Sequence, residues 1–296
     1  MSKQNPNTMK KIALTIAILL TISSLVAQTT IVGSGKVIGQ HRELETFTSV
    51  NSPSTVDVTI LKNEISCAEV TADDNLMEFV LTEVENGVLT ISMKRDISYN
   101  SPHITVTVYT PHLSEVVMKG TGNVTVLSVN EENFTLTSKG TGNFKCDCLI
   151  AKKDLVLHGR GTGNIDVSYM CPNNVTVQNS GAGNMNIKML QNVTSSMKIQ
   201  NSGTGAITLK KLSVGDLQLK SLGTGNVTLS GKADNMTLVH GGCGNVQANN
   251  LKVATAHITQ NSIGNIIATV TDTAYLTQKN RIGKVTIHGG GKIIEE

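Results

Sequence analysis

The chain has 296 residues, with 25 Lys and Arg against 22 Asp and Glu, 3% aromatic residues and no tryptophan. Lys3, Lys10 and Lys11 fall in the first 27 residues, so the remainder balances at 22 cations against 22 anions. A neutral chain without a Lys/Arg cluster interleaved with aromatics offers nucleic acid no electrostatic footprint, and so few aromatic platforms argue against a conventional stacking site for sugar rings.

In chain order, residues 1–27 read as a secretory signal peptide. Lys10 and Lys11 precede an apolar run from Ile12 that continues to Val26, and Ala27 precedes Gln28 at the expected cleavage point. The run is short and wrongly flanked for a membrane span, and no later apolar run approaches the roughly 20 residues that cross a bilayer. The expectation is an exported product, periplasmic, outer-membrane-associated or extracellular, with no stable span after processing.

Residues 28–115 contain alternating segments at Phe47-Thr-Ser-Val50, Val56-Asp-Val-Thr-Ile60, Val88-Leu-Thr-Ile91 and Ile104-Thr-Val-Thr-Val108. Asn86-Gly87 predicts a tight hairpin, and only Asp74 to Val84 allows a helical turn or two. This part reads as a β-rich cap over the open end of a repeat region that begins near residue 116. Gly33-Ser-Gly-Lys36 looks like a degenerate copy of that repeat, which leaves open one continuous architecture.

From residue 116 to 296 a four-residue word returns nine times, beginning at Gly120, Gly140, Gly161, Gly181, Gly203, Gly223, Gly242, Ser262 and Arg281, at spacings of 19 to 22 residues. Short alternating segments flank each copy, such as Val124-Thr-Val126 after it and Leu155-Val-Leu157 before it, and no stretch sustains a helical period. A fixed period of this length marks a solenoid whose units bury their apolar side only by stacking. The predicted fold is all-β: a parallel, right-handed β-helix or related β-solenoid of about nine coils, with like strands roughly 4.8 Å apart.

The glycines Gly122, Gly142, Gly163, Gly183, Gly205, Gly225, Gly244, Gly264 and Gly283 are expected to supply sharp corners, including positive φ. Asn123, Asn143, Asn164, Asn184, Asn226, Asn245 and Asn265 would stack as a ladder exchanging side-chain amide bonds. The competing reading is a Thr and Asn stripe, including Thr121, Thr141, Thr162, Thr204 and Thr224, that faces a ligand. Alternation through Val175 to Ile187 puts Gly181 and Gly183 inward and Asn184 outward, but a bend at the glycines resets parity and leaves the stripe's direction open.

Cys67, Cys146, Cys148, Cys171 and Cys243 are odd in number and irregularly spaced, which is no disulfide framework, although one bridge between Cys171 and Cys146 or Cys148 is conceivable. Cys146-Asp-Cys148 places both sulfurs on one strand face without a second pair or nearby His, an argument against zinc. Asp147, Asp154, Asp166, Asp216, Asp234 and Asp272 sit at different offsets within their repeats and form no column. His158 and His240 each lie just before a glycine corner, several repeats apart. No catalytic residue, metal site or cofactor is implied. Six Asn-x-Thr sequons, at Asn123, Asn133, Asn174, Asn192, Asn226 and Asn235, are what such a repeat produces.

The ordered combination of Gly33-Ser-Gly35, Phe47-Thr-Ser-Val50, Val56-Asp-Val-Thr-Ile60, Asp74-Asn-Leu-Met-Glu-Phe-Val80, Thr82-Glu-Val-Glu-Asn-Gly-Val-Leu-Thr-Ile91, Val106-Thr-Val-Tyr-Thr-Pro111 and the Gly-Thr-Gly-Asn series resembles the head GIN domain of putative auto-transporter adhesins. The resemblance covers nearly all of the chain after residue 27. It implies an exported or surface-associated bacterial β-helical protein and brings no catalytic residues; together with the export signal and the repeat it points to a non-enzymatic surface or adhesion module whose partner would be a glycan, matrix or cell-surface component. Oligomerisation stays open. The alternatives are a β-helical polysaccharide lyase or hydrolase, which would need clustered carboxylates, and an ordered-surface binder of ice-binding type, which the Thr column suggests.

Overall fold

The protein is described by a computed structural model over residues 30–95, 97–101, 103–188, 194–279 and 282–296. The proposed signal segment, with Ala27 and Gln28, and the sequon at Asn192 lie outside the described residues. The described residues form an all-β solenoid of about nine turns. The only helical element among them is the 3-10 turn Met77–Phe79, inside the segment that the sequence allowed to be helical.

The anatomy of one coil follows from where the two-residue alternation breaks. Along Val124–Ser138, Val124 and Val126 are buried, then Val129 alone, then Phe134, Leu136 and Ser138. The exposed pairs between those groups are corners, so one continuous strand makes three flat sides. Phe144–Gly159 stacks on it in parallel, with Val124 opposite Phe144, Val129 opposite Leu149 and Phe134 opposite Leu155. The register slips between Glu131 and Asn133, where the second coil carries its one extra residue as a bulge. The core is therefore a set of apolar columns along the axis, one of which runs Val58, Val124, Phe144, Ile165, Met185, Ile207, Val227, Val246 and Ile266.

The N-terminal part joins the stack out of sequence order. Ser49–Ser52 pairs in parallel with Glu115–Met118 on one side and with Val88–Met93 on the other. Asp57–Lys62 lies likewise between Val124–Ser138 and Thr105–Thr110. Residues 49–62 are thus a coil whose turn, Ser54-Thr-Val-Asp57, stacks beneath Gly120-Thr-Gly-Asn123. Antiparallel strands close the end beyond: Val80–Glu85 hairpins onto Val88–Met93, and Cys67–Asp73 pairs with Thr105–Thr110 and with Val37–Glu43. The hairpin turn has φ of 51° at Asn86 and 75° at Gly87, the left-handed pair that Asn-Gly favours.

Gly33–Lys36 is not a copy of the repeat. The strand after it runs antiparallel, and its backbone wraps the buried Asp73: Gly35 N–H donates to Asp73 Oδ1 at 2.8 Å, and the Ser101 hydroxyl donates to the other oxygen. Ser34 adds bonds to Asn75 and Asp74. The degenerate turn lies at residues 54–57 instead, where no glycine announces it.

Candidate binding face

At each glycine turn the backbone alternates without interruption. In Arg160-Gly-Thr-Gly-Asn164, Gly163 is buried, Arg160 and Thr162 are exposed, and Asn164 lies at the surface. Both glycine columns point at the preceding coil. A Cβ on any of the nine third-position glycines, from Gly122 to Gly283, would overlap the carbonyl oxygen of the residue beneath it, as Gly163 would overlap Gly142. The glycines are therefore required by backbone contact between coils. This corrects the expectation of left-handed corners: the positive-φ glycines are Gly35, Gly87, Gly231, Gly289 and Gly290, none of them in the repeat word.

The Asn column faces outward and links coils mainly from side chain to backbone. Asn143 N–H donates to Asn123 Oδ1 at 3.0 Å, Asn164 N–H to Asn143 Oδ1 at 2.9 Å, Asn184 N–H to Asn164 Oδ1 at 2.9 Å and Ala206 N–H to Asn184 Oδ1 at 2.9 Å. Beyond Ala206, which has no acceptor to offer, Asn245 N–H donates to Asn226, Asn265 N–H to Asn245 and Lys284 N–H to Asn265. Asp57 stands at the foot, taking both the N–H and the amide of Asn123 at 2.7 and 3.1 Å. The amide-to-amide bond expected throughout occurs at one rung, from Asn143 to Asn123 at 3.2 Å.

An inward polar column was not foreseen. Register aligns Ser138, Gly159, Asn179, Asn201, Ser221, His240 and Gln260 along the inside of the turn, with Gln278 continuing the column exposed near its end. Asn179 donates to Gly183 O at 2.8 Å, Asn201 to both Gly205 O and Gly225 O at 3.0 and 3.1 Å, and Gln260 to Gly264 O at 2.5 Å. These side chains satisfy glycine carbonyls that the stack hides from water. The legible signal was a polar residue closing each inward apolar run. His240 belongs here, buried, with Nδ1 3.1 Å from Ser221 O, and burial holds its imidazole below the ordinary value. His158 does not: it stands opposite Gln178 on the outer side.

Three side-chain columns face out of the turn. Beside the Asn column runs Thr121, Thr141, Thr162, Ala182, Thr204, Thr224, Cys243, Ile263 and Ile282, exposed throughout. Ahead of it stand Lys119, Lys139 and Arg160, then Ser180, Ser202 and Leu222. Lys139 N–H to Met118 O and Arg160 N–H to Ser138 O, both 2.7 Å, fix the three cations in consecutive coils. The sequence shows no basic cluster because these residues are some 20 positions apart.

The other candidates disperse. None of the five cysteines is joined in a disulfide. Cys146 points into the core, where burial pushes its thiol up to about 12, while the bend after Asp147 leaves Cys148 half-buried, so the two do not share a face as expected. Asp154 and Asp216 do share a register column, contrary to expectation, but Asn174 and Ser196 separate them. The acids instead make rungs with asparagine: Asn174 on Asp154, Asn186 on Asp166 and Asn235 on Asp216, at 3.0, 2.9 and 2.9 Å. Among the described residues no three His, Cys, Asp or Glu side chains converge as for a metal, and no helix is long and apolar enough to cross a membrane.

The family profile described as "Putative auto-transporter adhesin, head GIN domain" matches residues 46–192 and 190–291, across both the N-terminal coil and the repeat. The chain belongs to this family. A putative adhesin from Parabacteroides distasonis is 19% identical over 90% of this chain and 100% of its own, with a TM-score of 0.55, and shares this fold. A putative adhesin from Parabacteroides merdae is 20% identical over 90% of this chain and 99% of its own, with a TM-score of 0.42. A putative lipid binding protein from Parabacteroides distasonis is 18% identical over 90% and 100%, with a TM-score of 0.40. No curated protein matches this head GIN chain in sequence.

Proposed function

We propose that this head GIN protein is an exported, non-enzymatic binding module of adhesin type that engages a glycan, matrix or cell-surface component through the outer face of its glycine turns. The observation that carries the reading is the division of labour within the repeat word. Glycines, the inner polar column and the Asn ladder serve the stack, while the two other outer columns, in register across the coils, form no part of the core. The signal-like pattern of residues 1–27 and the family's description support export. The use of Asp154, Asp166 and Asp216 as partners for asparagine supports a role other than acid–base chemistry. Thr121, Thr141 and Thr162 supply hydroxyls at the coil spacing, and Ala182, Cys243, Ile263 and Ile282 interrupt them, which disfavours a match to a crystalline surface.

The test is protease accessibility on intact cells, followed by a glycan and matrix array probed with the chain from residue 30. Surface cleavage and capture on a defined glycan or matrix component are expected. A cytoplasmic chain, or polysaccharide turnover lost on changing one carboxylate, would overturn the reading.

A further inference from the structure

The fold gathers cations that the sequence scatters. Lys119, Lys139 and Arg160 occupy the same place in three consecutive turns, all exposed, at the roughly 4.8 Å separation of adjacent strands. Elsewhere in these coils lysines are answered by acids: Lys145 meets Asp147 at 3.5 Å, and Lys152 and Lys153 meet Glu132 at 3.6 and 3.3 Å. Among the described residues no carboxylate pairs with Lys119, Lys139 or Arg160. Asp57, the acid in the turn stacked beneath Gly120–Asn123, is taken up by Asn123. The field is felt locally, since burial and then the Arg160 charge hold the His158 imidazole below its ordinary value. Like charges on neighbouring strands oppose the stack, and an anion lying across them removes the penalty.

A second feature continues the stripe. From the next coil onward the cations give way to small residues, and the turns open into a trough of about 540 Å³ lined by Ser180, Ala182, Ser202, Thr204, Leu222 and Cys243, among others. It runs along the same outer edge, and hydroxyls of Ser180, Ser202, Thr204 and Thr224 border it. A cationic run leading into an open trough of mixed character, with hydroxyls beside Ala182 and Leu222, fits an extended polymer with anionic groups at intervals near the coil spacing, about the length of one sugar ring.

We infer that this edge binds an acidic polysaccharide laid along the solenoid axis, its sulfates or carboxylates on Lys119, Lys139 and Arg160 and its sugar rings over the trough. This rests on the adhesin reading and narrows it to polyanionic glycans. The experiment is biolayer interferometry of the chain from residue 30 against heparin, polygalacturonate, neutral dextran and a single-stranded DNA oligomer, at several salt concentrations. The Lys119→Gln/Lys139→Gln/Arg160→Gln variant is compared with the parent and with Lys198→Gln/Lys220→Gln/Lys252→Gln, which changes three exposed lysines elsewhere.

The parent is expected to bind heparin or polygalacturonate and not dextran. The turn variant should lose on the order of 100-fold in affinity, at about one factor of five per cation, with the slope of log affinity against log salt reduced by about 2 to 3. The control variant should stay within a few-fold of the parent, and melting should be unchanged or raised in the turn variant. Equal loss in both variants, binding to dextran, no binding to either polyanion, or tighter binding to DNA would each overturn the inference. Capture on a neutral glycan that the turn variant retains would refute it and leave the adhesin reading standing. Polyanion binding by a chain found in the cytoplasm would do the reverse.

Discussion

At the scale of single residues, two asparagines of the same repeat separate structural roles that the sequence made look alike. Asn184 is exposed and offers one oxygen to Ala206 N–H, a bond that water can replace. Asn201 is fully buried and satisfies two glycine carbonyls at once. Asn184→Ala should therefore cost about 0.5 to 1 kcal/mol and Asn201→Ala about 2 to 3 kcal/mol, because the second leaves buried carbonyls without donors. Urea unfolding of the two variants measures the difference, and equal losses would remove the distinction. His240 adds a pH dependence with a fixed sign. Its folded-state imidazole lies below the ordinary value, so the unfolded chain takes up its proton first as pH falls. The stability it contributes is complete above about pH 6.5 and is lost as pH drops toward the lower folded value. His158 acts in the same direction. His240→Gln should flatten the melting temperature's dependence on pH below about 6.5, and a profile unchanged by the substitution would contradict this.

At the scale of elements, the turn was legible as a repeat and its physics was not. The spacing of glycines fixed the coil length and the count, but a one-dimensional string does not show which backbone lies beneath a residue, so φ was credited with what close stacking demands. The same blindness hid the coil at residues 49–62. Ser54 and Val56 hold the glycine places there, and the partner beneath comes from residues 88–110, later in the chain. Asn86-Gly87 was readable because a tight hairpin is a local event, whereas Cys148 was assigned to the wrong face because a corner resets alternation. The Asn ladder carries its own test. Ala206 interrupts it, leaving the next coil's Asn226 N–H without the side-chain acceptor that other rungs have. Ala206→Asn should raise stability by about 0.5 to 1 kcal/mol, read from the thermal midpoint. A loss of stability would show that the ladder is incidental.

At the scale of the whole molecule, parallel stacking turns distance in sequence into adjacency in space, and that sets how far sequence reading reaches. A neutral composition concealed a basic run because Lys119, Lys139 and Arg160 are brought together only when successive coils superpose. The carboxylates were likewise counted by offset from the glycine word. Bulges shift that count, so Asp154 and Asp216 fall in one column with two coils between them. What composition does settle is the class: few aromatics, abundant glycine and alternating β-branched residues build a long sheet wrapped on itself, with function left to its outer side chains. The separation of inward and outward residues in one turn, Arg160 to Asn164, is the most direct test. Binding per folded molecule and melting temperature should be measured together for Arg160→Gln/Thr162→Ala and for Gly163→Ala, on the array component that captures the parent most strongly. The outward pair should weaken capture at least several-fold with an unchanged melting temperature. Gly163→Ala should cost about 3 kcal/mol or more through backbone overlap while its folded fraction binds like the parent. Capture that survives the outward changes, or that falls with Gly163→Ala at constant folded fraction, would contradict the account.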